Sequence, residues 1–508
     1  MDDGVTQGSG QRWVKVLDQS RCIGCHACTT ACKSENEVPL GVTRTFVKSV
    51  DIGIFPTARR AFQVTRCNQC EDAPCVAACP TQAMYRREDG IVDFDKRICI
   101  GCKACMAACP YDAIFINPED HSAEKCNMCA HRLDIGLEPA CVTVCPTEAI
   151  LVGDLNDPTS KVAHVINREA VQVRKPEKET TPSVFYKGAH QATLDPLAAR
   201  RPEGGLYAWA TQGGGAITQS ARSSEVNHAI DRGRAGTSGT SSAAAVISYD
   251  IPHQVPWGWR VSAYTWTKSI AAGGFAVPVA LAAAGRLSWA GNSVRWWAPV
   301  IGLVFLALTG GLLIWDLKHP MRFYLIFTRH HWRSWLVRGA VIIGGYGAAL
   351  TAYLVAAIAD PGGAAQQAAG WAGMFLATAT AVYTAYLFAQ AKARDLWQSP
   401  LLAPHLAVQA ALAGAAATVP FAHRPAEVVL VVAAVAHLLL VAAEVTVPHG
   451  TAHAHLAARE LWRGKYRVLF WSSGLLIAAG IFFAPLALLG LLIYEHAYVQ
   501  AGQCVALA

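Results

Sequence analysis

From about residue 259 to the end, Ala, Leu, Val, Gly and Ile dominate in long apolar runs separated by short polar stretches. The runs fall at 260–285, 296–317, 334–359, 368–392, 400–420, 425–447 and 468–496. Each is long enough to cross the ~30 Å hydrocarbon core of a bilayer as a helix. A soluble helical domain would not carry so many adjacent runs of about twenty residues with almost no charge. The pattern therefore predicts an all-α transmembrane bundle over 259–508. The last run is long and contains Pro485, so the count is seven or eight. Either half of that run is short for a span, which favours seven on these grounds.

The preceding residues are of different material. Residues 159–258 read as an extended, partly flexible connector. Its first part, near 151–190, has the composition of a structured or adhesive segment. Residues 208–245 are Gly, Ser, Thr and Ala with scattered charges, as in TQGGGAITQSARSSEVNHAIDRGRAGTSGTSSAAA. Such a stretch cannot bury enough apolar surface to offset ordering, so it reads as a tether. The alternative is a strap lying on the chain's own surface or on a partner's. Residues 1–10 read as a loose tail.

Candidate chemistry is concentrated at the front. Sixteen of the seventeen cysteines lie in the first 145 residues, in four tetrads, and Cys504 stands apart. The tetrads are Cys22, Cys25, Cys28, Cys32; Cys67, Cys70, Cys75, Cys79; Cys99, Cys102, Cys105, Cys109; and Cys126, Cys129, Cys141, Cys145. Runs one and three are C-x2-C-x2-C-x3-C, the spacing of ferredoxins, and four thiolates are the ligands of one [4Fe–4S] cluster. Four clusters are expected, with no ligand left over. Zinc also takes four thiolates, but usually from two separated C-x2-C pairs without a third cysteine two residues on. A disulfide framework needs a secretory context that the N-terminus does not supply.

In two-cluster ferredoxins the fourth cysteine of a run binds the other cluster. Runs two and three, with nineteen residues between Cys79 and Cys99, form the natural inner pair. Runs one and four are then the outer pair. The predicted ligand sets are Cys67, Cys70, Cys75 and Cys109; Cys99, Cys102, Cys105 and Cys79; Cys22, Cys25, Cys28 and Cys145; and Cys126, Cys129, Cys141 and Cys32. The crossing ties distant segments into a core that burial alone would hardly stabilise. The expected fold is an α+β ferredoxin-like multi-cluster domain of two crossed bis-[4Fe–4S] modules over 12–158, followed by the connector and the bundle.

Charge assigns the faces. Loops on the connector side carry ten basic residues: Lys318, Arg322, Arg329, Arg333, Lys392, Arg394, Arg459, Arg463, Lys465 and Arg467. The opposite loops carry three: Arg286, Arg295 and Arg424. The positive-inside rule places the rich side, and with it the cluster domain, in the cytoplasm. MDDGVTQGSGQRW has neither an apolar h-region nor a twin-arginine pair, which agrees. An inner (cytoplasmic) membrane location in a bacterium or archaeon is expected. An exported partner carrying the folded cluster domain across is the competing possibility. A net charge of +7 gives no reason to expect nucleic acid, because topology explains the basic loops.

Several segments resemble known families. CIGCHACTTACKSENEVP at 22–39, RCNQCEDAPCVAACPTQAM at 66–84, KRICIGCKACMAACPYDAI at 96–114, KCNMCAHRLDIGLEPACVTVCPTEAI at 125–150 and GDLNDPTS at 153–160 are similar to one iron–sulfur subunit. It is the four-cluster subunit of the molybdenum/tungsten bis-pyranopterin (dimethyl-sulfoxide-reductase) superfamily. Some relatives replace a cysteine of the third run and hold a three-iron cluster, whereas all four are present here. DLKHPMRF at 316–323, SWLVRG at 334–339, YTAYLF at 383–388 and LWQSP at 396–400 resemble the NrfD/polysulfide-reductase type of membrane anchor. Anchors of that type usually have eight spans. The resemblance implies a subunit fusion that relays electrons between a separate large pterin-containing catalytic subunit and a membrane quinone, menaquinone or ubiquinone. Substrate chemistry would lie in that partner. A quinone-linked complex with a multihaem cytochrome partner is the alternative, and a non-redox membrane scaffold with structural clusters is a third account. His437 in span six has no obvious axial partner and such anchors lack haem, so no haem is expected.

A quinone site needs proton donors or acceptors near the head group, and ionisable residues in or at the ends of spans are the candidates. His319 and Tyr383 are the expected head-group partners. Asp316 and Arg338 are expected as a proton-handling or orienting pair. Lys268 and Glu444 are the next candidates, and Glu427, His437 and Glu444 could begin a proton path. Each choice has a plainer reading, in topology, snorkelling or packing.

Overall fold

The computed structural model describes residues 10–53, 56–201 and 245–507. The tether expected at 208–245 and the tail at 1–10 therefore fall almost wholly outside the described residues. The chain divides into two compact units, Met1–Gln254 with Ala506–Ala508, and Val255–Val505.

The first unit is built from short elements around the cysteine runs. Its strands are β1 (Trp13–Asp18), β2 (Thr45–Ile52), β3 (Arg59–Arg66), β4 (Met84–Arg86), β5 (Val92–Phe94), β6 (Ile114–Ile116), β7 (Ala123–Lys125), β8 (Ile150–Asp154), β9 (Val171–Gln172), β10 (Val184–Lys187) and β11 (Val246–Tyr249). They form one sheet of order β8-β1-β10-β9, a second of order β11-β2-β3, and the hairpins β4-β5 and β6-β7. β1 is antiparallel to β8 and parallel to β10. Alternation in WVKVLD sets the faces of β1. Val14 and Val16 pack with Val162 on one side, and Leu17 packs with Cys28 and Cys141 on the other.

Short helices lie at the cysteine runs: α1 (Ala27–Glu35), α2 (Pro74–Ala78), α3 (Ala104–Ala108), α4 (Ala130–Leu133), which Cys129 precedes, and α5 (Ala140–Thr143). They are too short to be stable alone. α2 meets α3 through Ala78, Ala104 and Ala108, small residues that allow close approach. Cys28 of α1 and Cys141 of α5 share another core. Run two thus packs with run three, and run one with run four.

The compact unit continues beyond residue 158. α6 (Lys161–Arg168) and α7 (Gln191–Leu194) follow, and β9 and β10 extend the sheet of β1. β11 adds to the edge of β2. So part of the segment read as connector completes the sheets of the cysteine-rich unit. The reason lies in SVFYK (183–187) and AVISYD (245–250), short apolar-polar alternations long enough to pair with an open edge. Beyond β11, His253 lies between two carboxylates, at 2.6 Å from Asp112 and 3.2 Å from Asp250. Gln254 accepts from the Ile116 backbone at 2.9 Å.

The second unit is helical: α8 (Trp259–Ala283), α9 (Ala298–Asp316), α10 (Leu325–Thr328), α11 (Trp335–Ala359), α12 (Ala364–Ala389), α13 (Leu402–Thr446), α14 (Ala452–Trp462), α15 (Arg467–Ala479) and α16 (Ala484–Ala501). Among the described residues five helices are long and apolar enough to cross a membrane: Trp259–Ala283, Ser293–Asp316, Trp335–Ala359, Ala364–Ala389 and Leu402–Thr446. α8 is the most enclosed. At Gly273 its backbone lies against α13, where a Cβ would stand 1.7 Å from the Ala410 carbonyl oxygen.

α13 spans 45 residues but is not straight, since His423 leaves helical geometry at φ 47°. In a straight helix His405 and His437 would be about 48 Å apart. Their ring nitrogens are 3.0 Å apart, so the helix folds back on itself at His423. The two arms match the runs at 400–420 and 425–447, and Pro420 and Pro425 flank the bend. The run at 468–496, expected as one span or two, is divided into two helices. α15 ends near Gly480, and Phe483 is extended before Pro485 in the first turn of α16. Proline lacks the N–H to continue a helix but suits its first turn. The halves turn back on each other, with Gly480 against Ala487 and Gly490 against Ser473 and Ile477.

Candidate iron–sulfur centres and polar residues of the helical unit

The cysteine loops share a backbone device. The residue before the second cysteine of each run has positive φ: Gly24 (71°), Gln69 (47°), Gly101 (68°) and Met128 (59°). Three residues after the fourth cysteine of the last three runs it recurs, at Gln82 (57°), Asp112 (50°) and Glu148 (49°). Only glycine takes this region freely, so the other residues are held there by their surroundings. Peptide N–H groups also point at sulfur. Met84 N donates to Cys79 at 3.4 Å, Ala123 N to Cys99 at 3.4 Å and Ala149 N to Cys145 at 3.2 Å.

The structure brings the thiols together across the runs. Cys32 lies close enough to Cys126, Cys129 and Cys141 for their charges to interact. Asn36 Nδ2 reaches both Cys32 and Cys129, at 3.7 Å each. Cys22 is beside Cys25 and Cys145. Cys109 is beside Cys67, and both are near Cys70 and Cys75. Cys79, Cys99, Cys102 and Cys105 line a single cavity, with Phe94 and Ile100 among its walls. Thiols of run one thus stand near those of run four, and thiols of run two near those of run three.

Among the described residues, no three His, Cys, Asp or Glu side chains converge as they would around one metal ion. Zinc needs its donors ~2.0–2.3 Å from one centre. The thiolates of a cubane each bind a different iron and stand wider apart. Donor type, spacing, N–H bonds to sulfur and the cavity at Cys79, Cys99, Cys102 and Cys105 all fit [4Fe–4S] groups.

The thiols differ in their electrostatics. Burial pushes Cys28 up to about 11, and Cys32 and Cys70 up to about 12. Cys141, like Cys126, goes the other way. Burial raises it too, but Lys15 and Arg66 outweigh burial and draw it down to about 7. Arg66 Nη1 donates to Cys141 Sγ at 3.2 Å, and Lys15 Nζ donates to the same sulfur at 3.8 Å. Sequence reading missed both cations. The only signal was a charged residue at an inward position of each strand.

In the helical unit the predicted residues do not form one group. Tyr383 is buried, its ring 5.2 Å from Lys268 Nζ, and Tyr264 is near both Tyr383 and Asp316. His319 is half-buried in the turn before Pro320–Arg322. The expected pairing of Arg338 with Asp316 is not formed. Arg338 is exposed, donates to the Trp332 carbonyl at 2.7 Å and lies 5.0 Å from the Trp335 ring. A guanidinium is better served there by a carbonyl and an aromatic face.

Other polar groups are buried here, among them Lys268, His437 and Glu444 from the candidates above. Lys268 donates to Ala381 O at 2.8 Å and Thr384 Oγ1 at 2.7 Å. Thr265 donates to Glu495 at 2.6 Å. His437 is hydrogen-bonded to His405 at 3.0 Å. Glu444 accepts from Ser399 at 3.1 Å.

Comparison with known proteins agrees with both halves. Residues 58–155 match the 4Fe-4S dicluster domain family and residues 13–34 a 4Fe-4S binding domain. Residues 249–499 match the family described as Polysulphide reductase, NrfD. One tetrathionate reductase subunit from Salmonella typhimurium is 44% identical over 197 residues, 37% of this chain and 77% of the relative. One polysulfide reductase chain from Wolinella succinogenes is 43% identical over 178 residues, 34% of this chain and 93% of the relative. The thiosulfate reductase electron transfer subunit PhsB of Salmonella typhi is 43% identical over 184 residues, 35% of this chain and 95% of the relative.

Proposed function

From a chain that belongs to the iron–sulfur subunit family of the dimethyl-sulfoxide-reductase superfamily, fused to a membrane part of the polysulphide reductase NrfD type, we infer an electron-transfer and membrane-anchor subunit of a respiratory oxidoreductase. It is a multi-pass membrane protein whose relatives are subunits of reductase complexes. Four [4Fe–4S] clusters connect a separate molybdenum- or tungsten-pterin catalytic subunit to the quinone pool. When bound, the clusters carry single electrons. The protein's own residues hold them in crossed pairs, direct N–H groups at their sulfurs and shield most of them from water. Eight apolar arms, counting the two of α13 and the pair α15 and α16, anchor the chain. The cluster unit faces the cytoplasm, the side that the loop charges favour. His319 and Tyr383 contact the quinone head group, with Asp316 handling protons and Arg338 orienting at the interface.

The observation that carries this reading is the meeting of thiols from run one with run four and from run two with run three. Anaerobic purification of the complex tests it. Mass spectrometry and pterin analysis should find a large catalytic partner, and a reduced quinol analogue or the partner's substrate should reduce the clusters. Copurification of a multihaem cytochrome without pterin would replace the partner. Failure of any quinone analogue to exchange electrons with the clusters would remove the quinone role.

A further inference from the structure

Lys15 and Arg66 are each about 1% exposed, yet no carboxylate pairs with either among the described residues. Nε and Nη2 of Arg66 have no hydrogen-bond partner. Burying a cation without a counter-ion is strongly unfavourable. The anionic groups beside these two are sulfurs. Arg66 is close to Cys141, Cys126 and Cys28, and Lys15 to Cys141, Cys126 and Cys129. The placement follows from the strands. Lys15 shares a face of β1 with Leu17, and Arg66 shares a face of β3 with Val64. Leu17 and Val64 both pack in the core that holds Cys28 and Cys141. Cys102 has Lys103 nearby, and Cys70 and Cys75 have Lys125, whose ammonium is already bound to the carbonyls of Val92 and Cys126.

We propose that Lys15 and Arg66 are positioning residues that raise the reduction potential of the cluster held by Cys126, Cys129, Cys141 and Cys32. The proposal rests on the four-cluster reading above. A [4Fe–4S] group on four thiolates is a dianion when oxidised and a trianion after it accepts one electron from a neighbouring donor. No bond breaks in that step, and the change is one unit of negative charge. Two fixed cations at the Cys141 sulfur stabilise the reduced form more than the oxidised one. Net charge and hydrogen bonds to sulfur are among the factors that set such potentials. The pair therefore makes this position a place where an electron rests within the chain of clusters. Arg66, also near Cys28, acts more weakly on the neighbouring Cys22, Cys25, Cys28 and Cys145 group.

The test is redox-poised EPR on the full-length chain, purified anaerobically from membranes and reduced stepwise with dithionite, with iron analysis of every sample. The signal of the target cluster is identified as the one altered by Cys129→Ser. In Lys15→Met its midpoint should move negative by at least tenfold in the one-electron equilibrium, about 59 mV. Iron content and the signals of the inner pair should not change. Arg66→Met should lower the same midpoint and, less, that of the Cys22 group. Lys15→Arg and Arg66→Lys should restore most of the shift, which a purely packing role would not predict. If Lys15→Met loses iron, Lys15→Gln is read instead. An unshifted midpoint in the iron-replete methionine or glutamine variant overturns the proposal. Absence of four clusters from the unaltered chain overturns the functional reading instead, and iron analysis separates the two.

Discussion

His253 Nδ1 stands 2.6 Å from an Asp112 carboxylate oxygen, and the other ring nitrogen faces Asp250. This joins the segment after β11 to the loop that follows Cys109. Burial alone would favour the neutral ring, but hydrogen bonds and charge from Asp112 and Asp250 outweigh it and hold the imidazole up at about 9. The folded value lies above the ordinary His value near 6.5. The stabilisation is therefore complete below about pH 6.5 and is lost as pH rises through about 9. It amounts to roughly 3 kcal/mol when fully present. Proteolysis after Gln254 and loss of near-UV signal should accelerate between pH 7 and 9. His253→Asn should be fragile at pH 6 and show no such pH step, and an equal step in that variant would show that another group titrates.

The proposed crossed ligation has a sharp consequence for single cysteines. The sixteen thiolates correspond to about sixteen irons per chain. Cys32→Ser should disturb the same EPR signal as Cys129→Ser, although 97 residues separate the two in sequence, and spare the one altered by Cys25→Ser. Coincidence of the Cys32 and Cys25 phenotypes would show local rather than crossed ligation.

The legibility of this chain varies with the physics behind each feature. Metal ligation fixes residue type and spacing, so the cysteine runs, and which runs pack together, are legible directly. The arms of α13 were also readable, because Pro420, Arg424 and Pro425 interrupt an otherwise apolar stretch. The break between α15 and α16 was less so. Pro485 was visible, but whether a proline kinks a span or begins a new helix depends on the chain before it, here an extended Phe483. Lys15 and Arg66 were out of reach, since they meet Cys141 across 126 and 75 residues and no local pattern announces that contact. The Arg338–Asp316 pair is not formed because the order of spans says nothing of the Trp332 carbonyl and the Trp335 indole that hold Arg338.

The proposed orientation rests on the ten-to-three excess of Lys and Arg on the loops read as connector-side. A thiol reagent that cannot cross the inner membrane should leave Cys25, the most exposed of the sixteen, unlabelled in intact spheroplasts. It should label Cys25 in inverted vesicles of metal-depleted membranes. The reverse pattern would mean that an exported partner overrides the loop charges.

The quinone end can be examined at Tyr383 without removing it. A Cβ added at Gly339 would stand 2.4 Å from the Tyr383 ring, so Gly339→Ala must displace that ring. If Tyr383 holds the head group, Gly339→Ala and Tyr383→Phe should slow electron exchange with quinone analogues alike. His319→Ala should do so too. Loss of a buried hydrogen-bond partner costs ~1–3 kcal/mol, or ~5–150-fold in a binding or rate constant. Iron content and reduction of the clusters by dithionite should be unchanged in all three. Normal quinone turnover in the three variants would move the site, and the next residue to test is Lys268. Its ammonium lies beside the Tyr383 ring but is held by Ala381 and Thr384, so Lys268→Met would separate the two roles.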